Sequence, residues 1–167
     1  MDTFFQAVGE DNLLQKRSPA STVRQARLIR NRLILLDQKF WLLVRDGTHD
    51  AASQVLFCAT IKHSRLLGDF LASTIRMKIH TFKKTLTLKD WDHFFEECKH
   101  VDPLVGEWSE STTKKIRQVI MRILAEAKVI DSTRSMNFLP FHLLPEIKVL
   151  LVSNDEKYIL QALESFT

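Results

Sequence analysis

The chain has 167 residues, 45% of them hydrophobic, with a formal net charge of +4 and a pI near 9.2. That length fits one domain or two small ones, and the apolar share is enough for a core. Four glycines and four prolines are too few for a turn-rich all-β fold, and no apolar run reaches the roughly 18 residues needed to span a bilayer.

The first residues, MDTFFQAVGED, are acidic and lack the apolar stretch of a signal peptide. Phe4, Phe5, Val8 and Leu13 are expected to dock onto the core. Next comes KRSPASTVRQARLIRNRL, Lys16 to Leu33, with six cations and no carboxylate. Ser18 suits an N-cap and Pro19 the first helical position, which predicts a helix over 18–45. Val23, Ala26, Ile29, Leu33 and Leu36 recur at helical steps and form its expected buried stripe. Arg24, Arg27 and Asn31 lie opposite, with Gln25 and Arg32 flanking.

Exposed helices usually intersperse signs to gain pairs one turn apart. Here like charges repel unless an anion lies alongside. Five of the six cations are arginine, which suits bidentate contact with phosphate. Arg17, Arg24, Arg27 and Arg32 are therefore expected to bind a phosphate backbone. The alternative pairs these arginines with acids elsewhere, such as Asp46, Asp50 or Asp69.

A second helical region is expected over 50–82, with a break at His63-Ser64 where Ser64 caps a new helix. Gly68 weakens an unbroken helix there. Arg76, Lys78, Lys83 and Lys84 form a third cationic run. Thr87-Leu-Lys-Asp90 reads as a capping box with Asp in place of Glu. Trp91, Phe94, Phe95 and Cys98 then line one helix face. Pro103 ends that helix or starts a turn.

Ser109 or Ser111 can start the clearest helix, about 111–128, with Ile116, Val119, Ile120, Ile123, Leu124 and Ala127 as its stripe. KVIDSTRSMNFLPF has two short apolar runs around a polar turn and predicts a small hairpin. Pro145 opens a short helix, and Asp155 is expected to cap a last one with Ile159, Leu160 and Leu163 inward.

Helix, turn, longer basic helix, hairpin is the order of a winged helix-turn-helix, whose second helix enters the DNA major groove. The stretch 88–141 has that order. On its longer helix Ser111, Lys114, Lys115, Gln118 and Arg122 fall within about 100° of one another. Cations for phosphates and an amide or guanidinium for base edges are what a reading helix needs. Arg134 sits at the expected hairpin tip. One basic face taken alone is also what keeps a domain soluble.

Enzyme chemistry finds little support. The glycines are isolated, so no phosphate-cradling loop exists. His63 and Asp69 have no nucleophile fixed beside them, and Ser64 is better read as a cap. Glu96 and Glu97 are adjacent and diverge on a helix. His93 and His100 are seven residues apart, too far to share a metal. Cys58 and Cys98 sit in apolar helical patterns and read as reduced thiols of a cytoplasmic protein. No metal, no cofactor and no membrane contact are expected.

The strings DNLLQKRSPAST, RQARLIRNRL, ATIKHSRLLGDF, DPLVGEWSESTTKKIRQVIMRILAEAKVIDSTRS and LPFHLLPEI together resemble the BrxA family. These are small helical components of BREX phage-resistance systems in bacteria. The resemblance runs from about Asp11 to Leu163 and implies a non-enzymatic DNA-binding protein. It implies partners in a methyltransferase, an ATPase, a Lon-like protease and a phosphatase-like protein. A weaker resemblance to the helical RNA-binding factor NusB keeps RNA as an alternative ligand, and a protein scaffold is the other alternative. Members of the family usually carry a further apolar helix before the DNLLQKRSP string, and here the stretch before Asp11 is short.

The expectation is a mainly α fold, a multi-helix domain with a winged-helix-turn-helix-like C-terminal half carrying a small β-hairpin. Residues 1–86 would form a helical N-terminal half and 87–167 the winged-helix-like half, with one continuous globular domain as the alternative. The expected ligand is double-stranded DNA.

Overall fold

A computed structural model describes residues 18–166. The docking expected of Phe4, Phe5, Val8 and Leu13, and the roles of Lys16 and Arg17, lie outside the described residues. What is described is mainly helical. α1 spans Pro19–Leu33. Pro19 holds the first position as expected, but the Ser18 hydroxyl makes no capping bond. The Ser18 carbonyl instead accepts the amide of Thr22 at 3.0 Å.

The single helix expected over 18–45 is two helices, because α2 starts at Gln38 and runs Gln38–Asp46. Asp37 accepts the amide of Lys39 at 2.9 Å, and Trp41 Nε1 donates to the carbonyl of Leu33 at 3.0 Å. A short polar side chain that caps the next helix competes with continuing the first, and the Leu33 carbonyl takes both the indole and the amide of Leu36 at 3.0 Å in place of a further helical turn. The α1 stripe is only partly covered. Ala26 and Leu36 are buried, Ile29 and Leu33 half-buried, and Val23 exposed.

α3 spans His49–His63 and α4 spans Arg65–Phe70, with Ser64 accepting the amide of Leu67 as the expected cap. A π-helical turn over Leu71–Ile75 and α5, Arg76–His80, continue α4. α6 spans Leu88–Val101 and opens on the expected capping box of Thr87 and Asp90. Its Trp91, Phe94 and Phe95 are buried, and Phe70 meets Trp91 edge-on at 5.1 Å. Pro103 starts the short α7, Pro103–Gly106. α8 spans Glu110–Glu126, with Ser109 accepting the amide of Thr112 at 3.2 Å.

α9, Pro145–Ser153, begins at the expected proline. α10 spans Lys157–Leu163. Asp155 does not cap it. Asp155 takes a left-handed conformation, φ 54°, while the amide of Glu156 closes α9 by donating to Leu151 at 2.9 Å. Asp155 is thus used to end one helix rather than to start the next.

The expected hairpin after α8 does not form extended strands. Among the described residues the β-structure is two antiparallel pairings, Ile130 with Phe138 and Thr85 with Asn137. Pro140 lacks an N–H and stops the pairing on one side. Asp131 diverts amides that a longer ladder would use, as described below. One apolar cluster runs from Leu36 to Leu163 and, with the partly buried residues packed on it, joins the elements from α2 to α10. Cys58 is buried within it, which pushes its thiol up to about 12. Both cysteines are free. Among the described residues no helix is long and apolar enough to cross a membrane.

Candidate nucleic-acid interface

α8 owes its orientation to its apolar side. Ile120, Met121 and Leu124 are buried, and Ile116 and Ile123 pack against the core. Arg117 is fixed by Asp92 of α6 at 2.9 Å. Lys128, just past the helix, reaches Asp50 of α3 at 3.0 Å. These contacts leave the opposite face outward. Lys114, Lys115, Gln118 and Arg122 are all exposed there. Lys114 pairs one turn back with Glu110 at 2.6 Å, an exposed pair that a phosphate can displace cheaply. Lys115, Gln118 and Arg122 have no partner among the described residues.

The turn after α8 is organised by one carboxylate. Asp131 accepts from the amide of Ser132 at 2.6 Å, the hydroxyl of Ser135 at 2.9 Å, and Asn137 through both its amide and its side chain. The Asn137 side chain first of all, with the Ser135 hydroxyl and the backbone amides, holds the Asp131 carboxyl below its ordinary range. Arg134 is exposed on this turn, its amide donating to the Ser132 hydroxyl at 3.3 Å. The returning segment is pinned on both sides. Leu139 donates to Val129 at 3.0 Å, and Phe138 donates to Lys84 at 2.9 Å. The pairing with 84–86 was not readable from sequence, since Thr85 and Asn137 are 52 residues apart and neither lies in an alternating run.

On α1, Arg24 and Arg27 are exposed without an ion-pair partner among the described residues. The acids that could have neutralised them are committed elsewhere. Asp46 pairs with Arg45, Asp50 with Lys128, and Asp69 with Arg65. Arg32 differs. It is half-buried in a cleft of about 440 Å³ with Ile29, Phe57, Ile123 and Glu126. Burial lowers its pKa, and Glu126 opposes that shift. Its Nε has no hydrogen-bond partner. Lys78, from the third cationic run, is likewise turned inward to Asp90 at 2.7 Å, with both side chains 16% exposed. Arg17 lies outside the described residues.

Over residues 1–155 the chain matches the family model for BrxA. The chain belongs to the BrxA family. A BREX protein BrxA from Paramagnetospirillum magneticum is 36% identical over 163 residues, covering 98% of this chain and 82% of that protein. A BREX protein BrxA from Escherichia coli O9:H4 is 33% identical over 159 residues, covering 95% and 74%. A crystal structure of an uncharacterized protein from Magnetospirillum magneticum shares the fold with a TM-score of 0.83 at 35% identity, over 94% of this chain and 80% of that one. This BrxA-family chain is thus a protein of BREX phage-defence systems.

Proposed function

We propose that this BrxA-family protein binds duplex DNA without catalysing a reaction on it. The observation that carries the reading is the outer face of α8, where Lys115, Gln118 and Arg122 are exposed and unpartnered beside the Arg134 turn. α8 has 17 residues and is about 25 Å long, and an α-helix with side chains, about 10–12 Å across, fits the roughly 12 Å width of the major groove. The order α6, α8, turn 131–136, with 84–86 paired to the returning segment, supports a winged-helix-like arrangement. In it α8 reads the groove through Lys114, Lys115, Gln118 and Arg122, and Arg134 holds the flanking backbone. Arg24 and Arg27 supply further phosphate contacts from α1. Its protein partners are the other BREX components, among them the methyltransferase, ATPase, Lon-like protease and phosphatase-like protein.

Competition tests the ligand class. A labelled random-sequence duplex is displaced by unlabelled duplex at lower concentration than by an RNA hairpin or a single strand. Preferential displacement by the hairpin would support RNA binding instead. No duplex binding, together with a stable complex with another BREX protein, would support a scaffold.

A further inference from the structure

We propose that Phe82, followed by Lys83 and Lys84, is an apolar wedge that enters DNA beside the contact made by α8. This inference rests on the duplex-binding reading above. Phe82 ends α5. Its amide donates to Ile79 at 2.9 Å and the amide of Lys83 donates to Lys78 at 2.9 Å. That closure puts Phe82 in the left-handed region, φ 56°. Glycine suits this place because a Cβ is strained there.

Two other described helices close the same way, through Lys128 and Asp155. Each of those side chains reaches an ion-pair partner, Asp50 and Lys157, both at 3.0 Å. Phe82 reaches nothing and is 91% exposed, the most of any large apolar side chain among the described residues. Neither backbone preference nor packing accounts for a phenyl ring at this position.

The base of the ring is held from both directions. Before it, Lys78 is tied to Asp90 at the start of α6. After it, Lys84 accepts from Phe138, Leu86 donates to Met136, and Thr85 pairs with Asn137. Phe82 lies two positions before Lys84, about 7 Å of extended chain. The ring therefore belongs to the same paired unit as the Arg134 turn. Lys83 and Lys84 are exposed with no ion-pair partner among the described residues.

An exposed ring followed by two free cations matches a polyanion with apolar faces between its charges. Nucleic acid is such a ligand. Apolar side chains that enter the minor groove unstack a base step and bend the duplex, while lysines beside them hold phosphates.

The test compares the full chain with Phe82→Ala, Phe82→Trp and Lys83→Ala/Lys84→Ala on an end-labelled duplex of about 25 base pairs, across salt. Anisotropy reads affinity and end-to-end energy transfer reads bending. Phe82→Ala weakens binding about five-fold or more with an unchanged salt slope, since an apolar contact releases no counterions, and it loses the bend. Phe82→Trp keeps affinity and bend. Lys83→Ala/Lys84→Ala lowers the slope instead. Wild-type binding that Phe82→Ala leaves unchanged overturns the wedge and spares the DNA reading. Absence of wild-type duplex binding at low salt overturns both. An unchanged duplex affinity with lost binding to phosphatidylserine vesicles would make the ring a membrane contact and overturn the wedge.

Discussion

Asp131 grips Asn137 twice, accepting its backbone amide at 2.9 Å and its side-chain amide at 2.8 Å. The same carboxylate takes Ser132 and Ser135, and the Ser132 hydroxyl accepts the amides of Arg134 and Ser135, so two side chains close the turn that carries Arg134. Asp131→Ala leaves the helices intact and speeds hydrogen exchange at the amides of Asn137 and Leu139. Protection equal to wild type would show that the backbone pairing alone holds the turn.

The same carboxylate sets a pH dependence. Its folded-state value lies below the ordinary 3.8, so its contribution is full above that value and fades as pH falls through the folded one. Backbone and side-chain amide shifts of Asn137, followed by NMR from neutral pH downward, hold until pH passes below about 4 and then move together. Asp131→Asn abolishes that transition.

Gly68 is a packing glycine. A Cβ there would lie 2.2 Å from the Tyr158 hydroxyl and 2.6 Å from its ring, and that hydroxyl donates within the α4 region, where the Arg65 carbonyl lies at 2.9 Å and Asp69 Oδ1 at 3.0 Å. Gly68→Ala lowers stability by about 1–3 kcal/mol in thermal or urea unfolding. In the Tyr158→Ala background the same change costs much less, which a double-mutant cycle reads directly.

Phe82→Gly stabilises the fold by about 1 kcal/mol, because it removes left-handed strain and no buried contact. Urea midpoints check the sign. A gain in stability joined to a loss of duplex affinity separates a functional ring from a structural one.

Arg32 and its neighbours on α1 should behave differently toward salt. Arg24→Ala and Arg27→Ala each lower the slope of log affinity against log salt by about one unit. Arg32→Met leaves the slope closer to wild type, since its guanidinium is half-buried against Glu126 and its Nε makes no bond to lose.

Local signals were the legible ones. Ser64, the Thr87–Asp90 box, Ser109 and Pro145 mark helix starts with side chains that act within three residues, and each stands where the spacing predicted it. The break between α1 and α2 was hidden because apolar residues keep helical spacing across it, while Asp37 and Trp41 redirect the chain locally. Asp155 was misread because a residue good at capping a start is also tolerated in the left-handed close of the previous helix. The cations of the candidate site were legible as charges, but not their direction. Arg32 and Lys78 turn inward because Glu126 and Asp90, distant in sequence, meet them there. Long-range pairing of Thr85 with Asn137 left no local trace at all.

The most direct measurement of the central claim is duplex affinity across salt for the wild-type chain and for Lys115→Ala/Arg122→Ala. Wild type binds a random-sequence duplex with a steep salt slope, and the double variant binds more weakly with the slope reduced by about two units. No duplex binding at low salt, or a slope the variant leaves unchanged, would contradict the assignment of α8 as the DNA-facing helix.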